Sequence, residues 1–166
     1  VRKHLSNGKA AGYWDELPGE LLKYAGDDLD VYLANVFNTV YFFGQCPMYW
    51  REGVCAMLYK KGNTLYVGNY RSIAIMSFLG KMFNQLMQHK MLIHLDKYNL
   101  LFNGQNGFRP HRSCAMHHVC MLECIDEIHR KVNGEATAYC FFLDLRKAFD
   151  RIRRNFIYEK MNAWGI

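Results

Sequence analysis

The chain has 166 residues, of which 51% are hydrophobic and 22% charged. That composition supports one ordinary domain with its own core and excludes intrinsic disorder. Lys and Arg outnumber Asp and Glu by 21 to 15, a formal net charge of +6, which favours a polyanionic partner without requiring one.

Asp15 to Tyr24 reads as a short helix with Pro18 in its first turn, where a missing N–H costs little. Leu29, Leu33, Val36, Phe37, Val40 and Phe43 recur at helical spacing, and Gly44 stops that helix. Cys46 to Trp50 is a turn or a single helical turn. Val54 to Tyr59 is strand-like, and Lys60-Lys61-Gly62-Asn63 is a turn. Asn69 to Ile73 leads into a long helix whose apolar stripe is Leu79, Phe83, Leu86, Met87, Met91 and Leu95. Gln105 to Pro110 is a glycine-containing loop. Ser113 caps a helix with Ala115, Val119, Leu122, Ile125 and Ile128 inward, ending near Asn133-Gly134. A last helix is expected from about Asn155 to Trp164.

Between those two helices, Thr137 to Leu143 (Thr-Ala-Tyr-Cys-Phe-Phe-Leu) is short, apolar and rich in strand formers, as a buried strand is. Alternate side chains of a strand share a face, so Cys140, Phe142 and Asp144 would point the same way. A carboxylate closing an apolar row loses hydration unless something compensates it. A divalent cation does so, and Mg²⁺ held by one or two carboxylates plus substrate phosphates is a common arrangement.

The six cysteines, at 46, 55, 114, 120, 124 and 140, include no Cys-x-x-Cys pair, so neither a zinc ribbon nor a dithiol redox motif is indicated. Cys120 and Cys124, one helical turn apart near His117, read as small apolar residues on a helix face. Reduced thiols in an intracellular protein are expected. No signal peptide is read, and no apolar run is long enough to cross a bilayer. The chain starts at Val1 without an initiator Met and stops at Ile166 just after an apparent helix, so a piece of something longer is expected.

Taken in order, Asp15-Glu16-Leu17-Pro18 to Leu21-Leu22-Lys23, Phe43-Gly44 to Pro47 with Trp50-Arg51, Tyr59-Lys60-Lys61-Gly62, Asn69-Tyr70-Arg71, Gln105-Asn106-Gly107-Phe108-Arg109-Pro110, Arg112-Ser113-Cys114 and Phe142 to Asp150 (Phe-Leu-Asp-Leu-Arg-Lys-Ala-Phe-Asp) resemble the reverse transcriptase of non-LTR (LINE-type) retrotransposons. Each piece is weak alone. Together they span nearly the whole chain in the family's order.

The resemblance implies an α+β fold, that of a right-hand polymerase. Its mostly helical fingers with short strands would occupy residues 1–134, and the first strand and helix of a truncated palm 135–166. It implies an RNA-directed DNA polymerase working on an RNA template, a DNA primer and dNTPs, with two Mg²⁺ ions in the complete enzyme. Asp144 matches the first palm aspartate, the catalytic ligand of both ions, and Leu145 would offer its backbone carbonyl. Arg71 matches the fingers arginine that meets the incoming dNTP, Lys60 and Lys61 sit where a fingers turn would have one or the other reach its triphosphate, and Phe149 holds the sugar-gate position. Arg109 and Arg112 would track the template. No membrane partner is implied, and the nucleus or cytoplasm of a eukaryotic host is expected.

The sequence departs from the family's pattern at two turn positions: Ser72 stands where a Pro is usual and His111 where a Gly is common. No Tyr-x-Asp-Asp segment follows Asp144, so this stretch supplies one metal ligand of the expected three and is expected to be inactive alone. The rival readings are a non-catalytic, decayed or repurposed RNA-binding module, and a different polymerase such as a group II intron reverse transcriptase or a viral RNA polymerase.

Overall fold

The structure, a computed structural model, describes residues 2–9, 11–131, 137–145 and 148–166. It is a mixed α+β chain, mostly helical, with one two-stranded antiparallel sheet among the described residues. Its contacts divide it into two compact units, Val1–Met91 and Leu92–Ile166.

The first unit holds every buried hydrophobic side chain of the described residues. Helix α1 (Gly19–Tyr24) begins only after Pro18, which stands outside the helix in extended geometry. The longer helix expected from Asp15 does not form because Asp15 is engaged elsewhere. Its Oδ2 accepts from Ser77 Oγ at 2.9 Å and from the Phe78 N–H at 2.6 Å, at the start of α4 (Phe78–Lys97). A carboxylate there satisfies an orphan N–H and meets the positive end of the helix dipole. Ser77 accepts from the Gly80 N–H at 3.3 Å, as an N-cap serine does.

Helix α2 (Asp28–Phe43) ends where the sequence placed its stop: Gly44 takes a left-handed φ of 65° and donates its N–H to Val40. The single turn α3 (Met48–Arg51) delivers Trp50 to the core. There Trp50, Phe37 and Phe83 pack with ring centroids 5.7 to 5.9 Å apart, tilted or edge-on, the geometry that ring quadrupoles favour. Leu5, Leu22, Val40, Phe78 and Met82 complete the cluster, and Leu79 and Leu86 of the α4 stripe pack against it. Burying such a side chain contributes about 1.5–3 kcal/mol. Cys46 lies against this core, and burial pushes its thiol pKa up, with Arg51 opposing.

Arg2 locks the base of the unit. It is buried, and it grips Asp30 with two N–H groups at 2.6 and 2.9 Å. Its Nη1 donates to the carbonyls of Leu22 and Lys23 at 3.0 and 3.2 Å and to Ala25. One guanidinium thereby satisfies the C-terminal carbonyls of α1 and ties α1 to α2. The Arg2 hydrogen bond holds the Asp30 carboxyl below the usual carboxylate range.

The strands are β1 (Gly53–Tyr59) and β2 (Tyr70–Met76), paired from Gly53↔Met76 to Tyr59↔Tyr70. β2 replaces the expected helical lead-in: Tyr70, Ile73 and Ile75 are strand formers, and the helix begins only at the Ser77 cap.

In the second unit α4 stops at Asn99, left-handed at φ 51°, with Leu100 N–H bonded to Leu95 and Asn99 N–H to Asp96. That pairing is a Schellman cap. Helices α5 (Cys114–Lys131), α6 (Ala148–Arg151) and α7 (Arg154–Ala163) follow. α7 matches the expected last helix, whereas α5 does not turn its stripe inward: Val119, Leu122 and Ile128 are exposed. The expected end of α5 near Asn133-Gly134 lies outside the described residues, as do Arg146 and Lys147.

The expected buried strand from Thr137 is likewise not formed. Residues 137–145 belong to no helix or strand, and Tyr139 and Phe142 are 93% and 78% exposed. A strand gains its stability from cross-strand pairs, and the described residues give this segment no partner. Among the described residues no helix is long and apolar enough to cross a membrane.

Candidate nucleotide and nucleic-acid interface

Lys60, Lys61 and Arg71 belong to the first unit. Arg71 lies opposite Leu58 in the ladder. Lys60 extends that ladder by one residue, donating its N–H to Asn69 O at 2.9 Å. Side chains two apart along a strand share a face, so Lys60, Leu58 and Arg71 line one face and Tyr59 and Tyr70 the other. The two tyrosine rings pair there, centroids 5.6 Å apart. Lys60, Lys61 and Arg71 are all exposed.

Ser72, opposite Met57, occupies a pair whose N–H groups point away from the partner strand. A proline at that position would lose no ladder bond, because its nitrogen faces the open edge.

Asp144, Leu145, Phe149, Arg109 and Arg112 belong to the second unit. Asp144 is exposed and records no hydrogen bond or ion pair among the described residues. Its carboxylate and the Leu145 carbonyl are hard oxygen donors of the kind Mg²⁺ takes. Among the described residues no group of three or more His, Cys, Asp or Glu side chains is placed to hold a metal ion. The donors present would supply part, and not all, of the oxygens such an ion takes.

The loop before α5 is closed by its arginines. Arg109 Nη1 donates to Phe102 O at 3.2 Å. Arg112 Nη1 donates to Asn103 O and, at 3.3 Å, to Asn106 Oδ1. Asn106 is buried, and its Nδ2 lies 3.5 Å from His117 Nδ1. Phe108 and His111 both adopt left-handed backbone, φ 60° and 59°, so two strained residues flank Arg109-Pro110. The Phe108 ring meets Phe149 edge-on, centroids 6.4 Å apart. This loop and the Phe149 position are thereby brought together. The sequence signalled the left-handed site through His111, which stands where Gly is common. It gave no sign of the Phe108–Phe149 contact or of the Asp15 cap, because both depend on residues distant along the chain.

In the first unit the hairpin carries cations and no acid, and in the second Asp144 is exposed ahead of the aromatic Phe149. Residues 58–166 match the family described as reverse transcriptase (RNA-dependent DNA polymerase), and the chain belongs to that family. It is related to the polymerases of non-LTR retrotransposons. It is 30% identical over 155 residues to a probable RNA-directed DNA polymerase from transposon X-element of Drosophila melanogaster, covering 89% of this chain and 16% of that protein. It is 27% identical over 146 residues to the RNA-directed DNA polymerase from mobile element jockey of the same species, covering 83% and 15%. To the retrovirus-related Pol polyprotein from type-1 retrotransposable element R2 of Nasonia vitripennis it is 22% identical over 144 residues, covering 87% and 13%. The chain thus spans 13 to 16% of the length of these relatives. No solved structure matches it significantly.

Proposed function

We propose that this chain forms the fingers (residues 1–134) and the start of the palm (residues 135–166) of a right-hand, RNA-directed DNA polymerase of a retrotransposon. The reaction is attack of a DNA primer 3′-hydroxyl on the α-phosphate of a dNTP, directed by an RNA template. The observation that supports this best is the hairpin placing Lys60 and Arg71 on one face, inside the segment that matches the family.

Arg71 grips the triphosphate with two N–H groups in the plane of its guanidinium, and Lys60 adds a point charge beside it. Lys61 projects from the turn and contributes to the field. Asp144 and the Leu145 carbonyl would hold Mg²⁺, two ions in the complete enzyme. Bound there, the metal stabilises the attacking and leaving oxygens. Phe149 sets its flat ring under the deoxyribose and excludes a 2′-hydroxyl by sterics. The loop shaped by Arg109 and Arg112 tracks the template backbone, giving affinity without sequence choice. No adjacent aspartate pair follows Asp144 in this chain, so these residues alone extend no primer.

The test is single-turnover incorporation of one dNTP by a polymerase carrying this segment, with Asp144→Asn and Asp150→Asn compared. The first loses at least about a thousandfold, a transition-state loss near 4 kcal/mol. The second stays within about tenfold, about 1.4 kcal/mol. Near-native rates in Asp144→Asn would remove Asp144 from the metal site, and no incorporation even by the native protein, with RNA binding intact, would instead favour a non-catalytic RNA-binding module.

A further inference from the structure

We infer that the tip of the β1–β2 hairpin, centred on Tyr66, is a stacking platform for an unpaired nucleic-acid strand. The inference rests on the polymerase reading and adds a contact to it.

The tip is braced by its own hydrogen bonds and has no core. Asn63 organises it: its Oδ1 accepts from the Leu65 N–H at 2.9 Å, and its carbonyl accepts from Asn69 Nδ2 at 2.9 Å. The Tyr70 hydroxyl donates to Thr64 O at 2.8 Å and the Tyr59 hydroxyl to Gly62 O at 2.6 Å. On this frame Leu65, Tyr66 and Val67 are 90%, 60% and 71% exposed. The Tyr66 ring lies against Gly68, where an added Cβ would come within 3.1 Å of three ring carbons. One side of the ring is thus fixed by backbone and the rest is open.

Apolar side chains held outward on a self-bonded loop are a binding surface, and the charge around them selects the occupant. No Asp or Glu occurs between Glu52 and Asp96, and on the hairpin itself the charged residues are Lys60, Lys61 and Arg71. Lys60 and Lys61 stand at the base of the tip itself. An unpaired strand offers both complements, flat apolar bases for the ring and phosphates for the cations. A duplex hides its base faces, so the platform discriminates against it. The surface reads no base edge, so it is sequence-tolerant.

The test is fluorescence anisotropy of a labelled strand of about 12 nucleotides, as RNA and as DNA, against the same sequence as duplex. Tyr66→Ala weakens single-strand binding by about 5- to 100-fold with an unchanged salt slope, because the loss is stacking and not ion release. Tyr66→Phe keeps the ring and stays within about twofold, and Gly68→Ala, which displaces the ring, weakens binding in the same sense. Duplex binding and the melting transition do not move in any variant. Native single-strand affinity in Tyr66→Ala overturns the platform alone, as does equal weakening towards duplex or a loss of self-association instead. A wild-type chain that binds no nucleic acid overturns the polymerase reading as well.

Discussion

Lys60 and Arg71 emerge on one face of the β1–β2 hairpin, because Arg71 pairs with Leu58 and Lys60 continues the same ladder through its bond to Asn69. Lys61, the next residue, falls outside that register. Adjacent lysines that look equivalent in sequence are therefore inequivalent in position.

That difference predicts a split among three alanine variants in a polymerase carrying this segment. Lys60→Ala and Arg71→Ala raise the KM for dNTP by about 10- to 100-fold, the value of a charge-assisted hydrogen bond to phosphate. Lys61→Ala, a solvated charge, changes it by less than about threefold. Steady-state kinetics at fixed primer–template check this, and a larger effect at Lys61 would reverse the assignment.

His111 sits at φ 59°, a conformation that costs a side-chain-bearing residue about 1–2 kcal/mol. His111→Gly is expected to stabilise the chain, by less than that strain because glycine also gains freedom when unfolded. His111→Val is expected to destabilise it. Denaturant midpoints decide, and a lower midpoint for the glycine variant would show that the imidazole is needed for more than backbone geometry.

Acid sensitivity follows from the Arg2–Asp30 pair. The Asp30 carboxyl is held below its ordinary value by Arg2, and Glu20 is also lowered, through the Gly8 N–H. A depressed carboxyl contributes stability that is complete above its unfolded pKa, about 4, and is lost as pH falls through the folded value. Arg2 stays charged throughout. The melting temperature should therefore be insensitive to this pair from neutral pH down to about 5 and decline below about 4. Arg2→Met should melt lower at neutral pH and show a shallower acid decline. Parallel acid curves for the two proteins would remove the pair from the account.

What could be read from the sequence was what local chemistry decides. The Gly44 stop, the α3 turn around Trp50, strand β1 and the α4 stripe were legible because caps, glycine and helical spacing act within a few residues. β2 was missed because the apolar run of α4 begins close behind it and only pairing with β1 reveals the strand. The Asp15 cap joins residues 62 apart, and Arg2 reaches Asp30 across 28, distances over which no periodic signal runs. The stripes read as inward on α5 and along residues 137–144 are apolar as expected, but burial depends on a covering surface that the described residues do not supply. The candidate cations and the candidate acid were legible as residue types, whereas the shared face of Lys60 and Arg71 needed the ladder register.

Asp144 is proposed to hold magnesium for nucleotide transfer. That role is tested most directly by replacing Mg²⁺ with Fe²⁺ in a polymerase carrying this segment, bound to primer–template and dNTP, and triggering local radical cleavage with ascorbate and peroxide. Cuts mapped by mass spectrometry should cluster beside Asp144 and Leu145, compete away with excess Mg²⁺, and vanish in Asp144→Asn. Cuts that leave this segment untouched, or that persist unchanged in Asp144→Asn, would contradict the account.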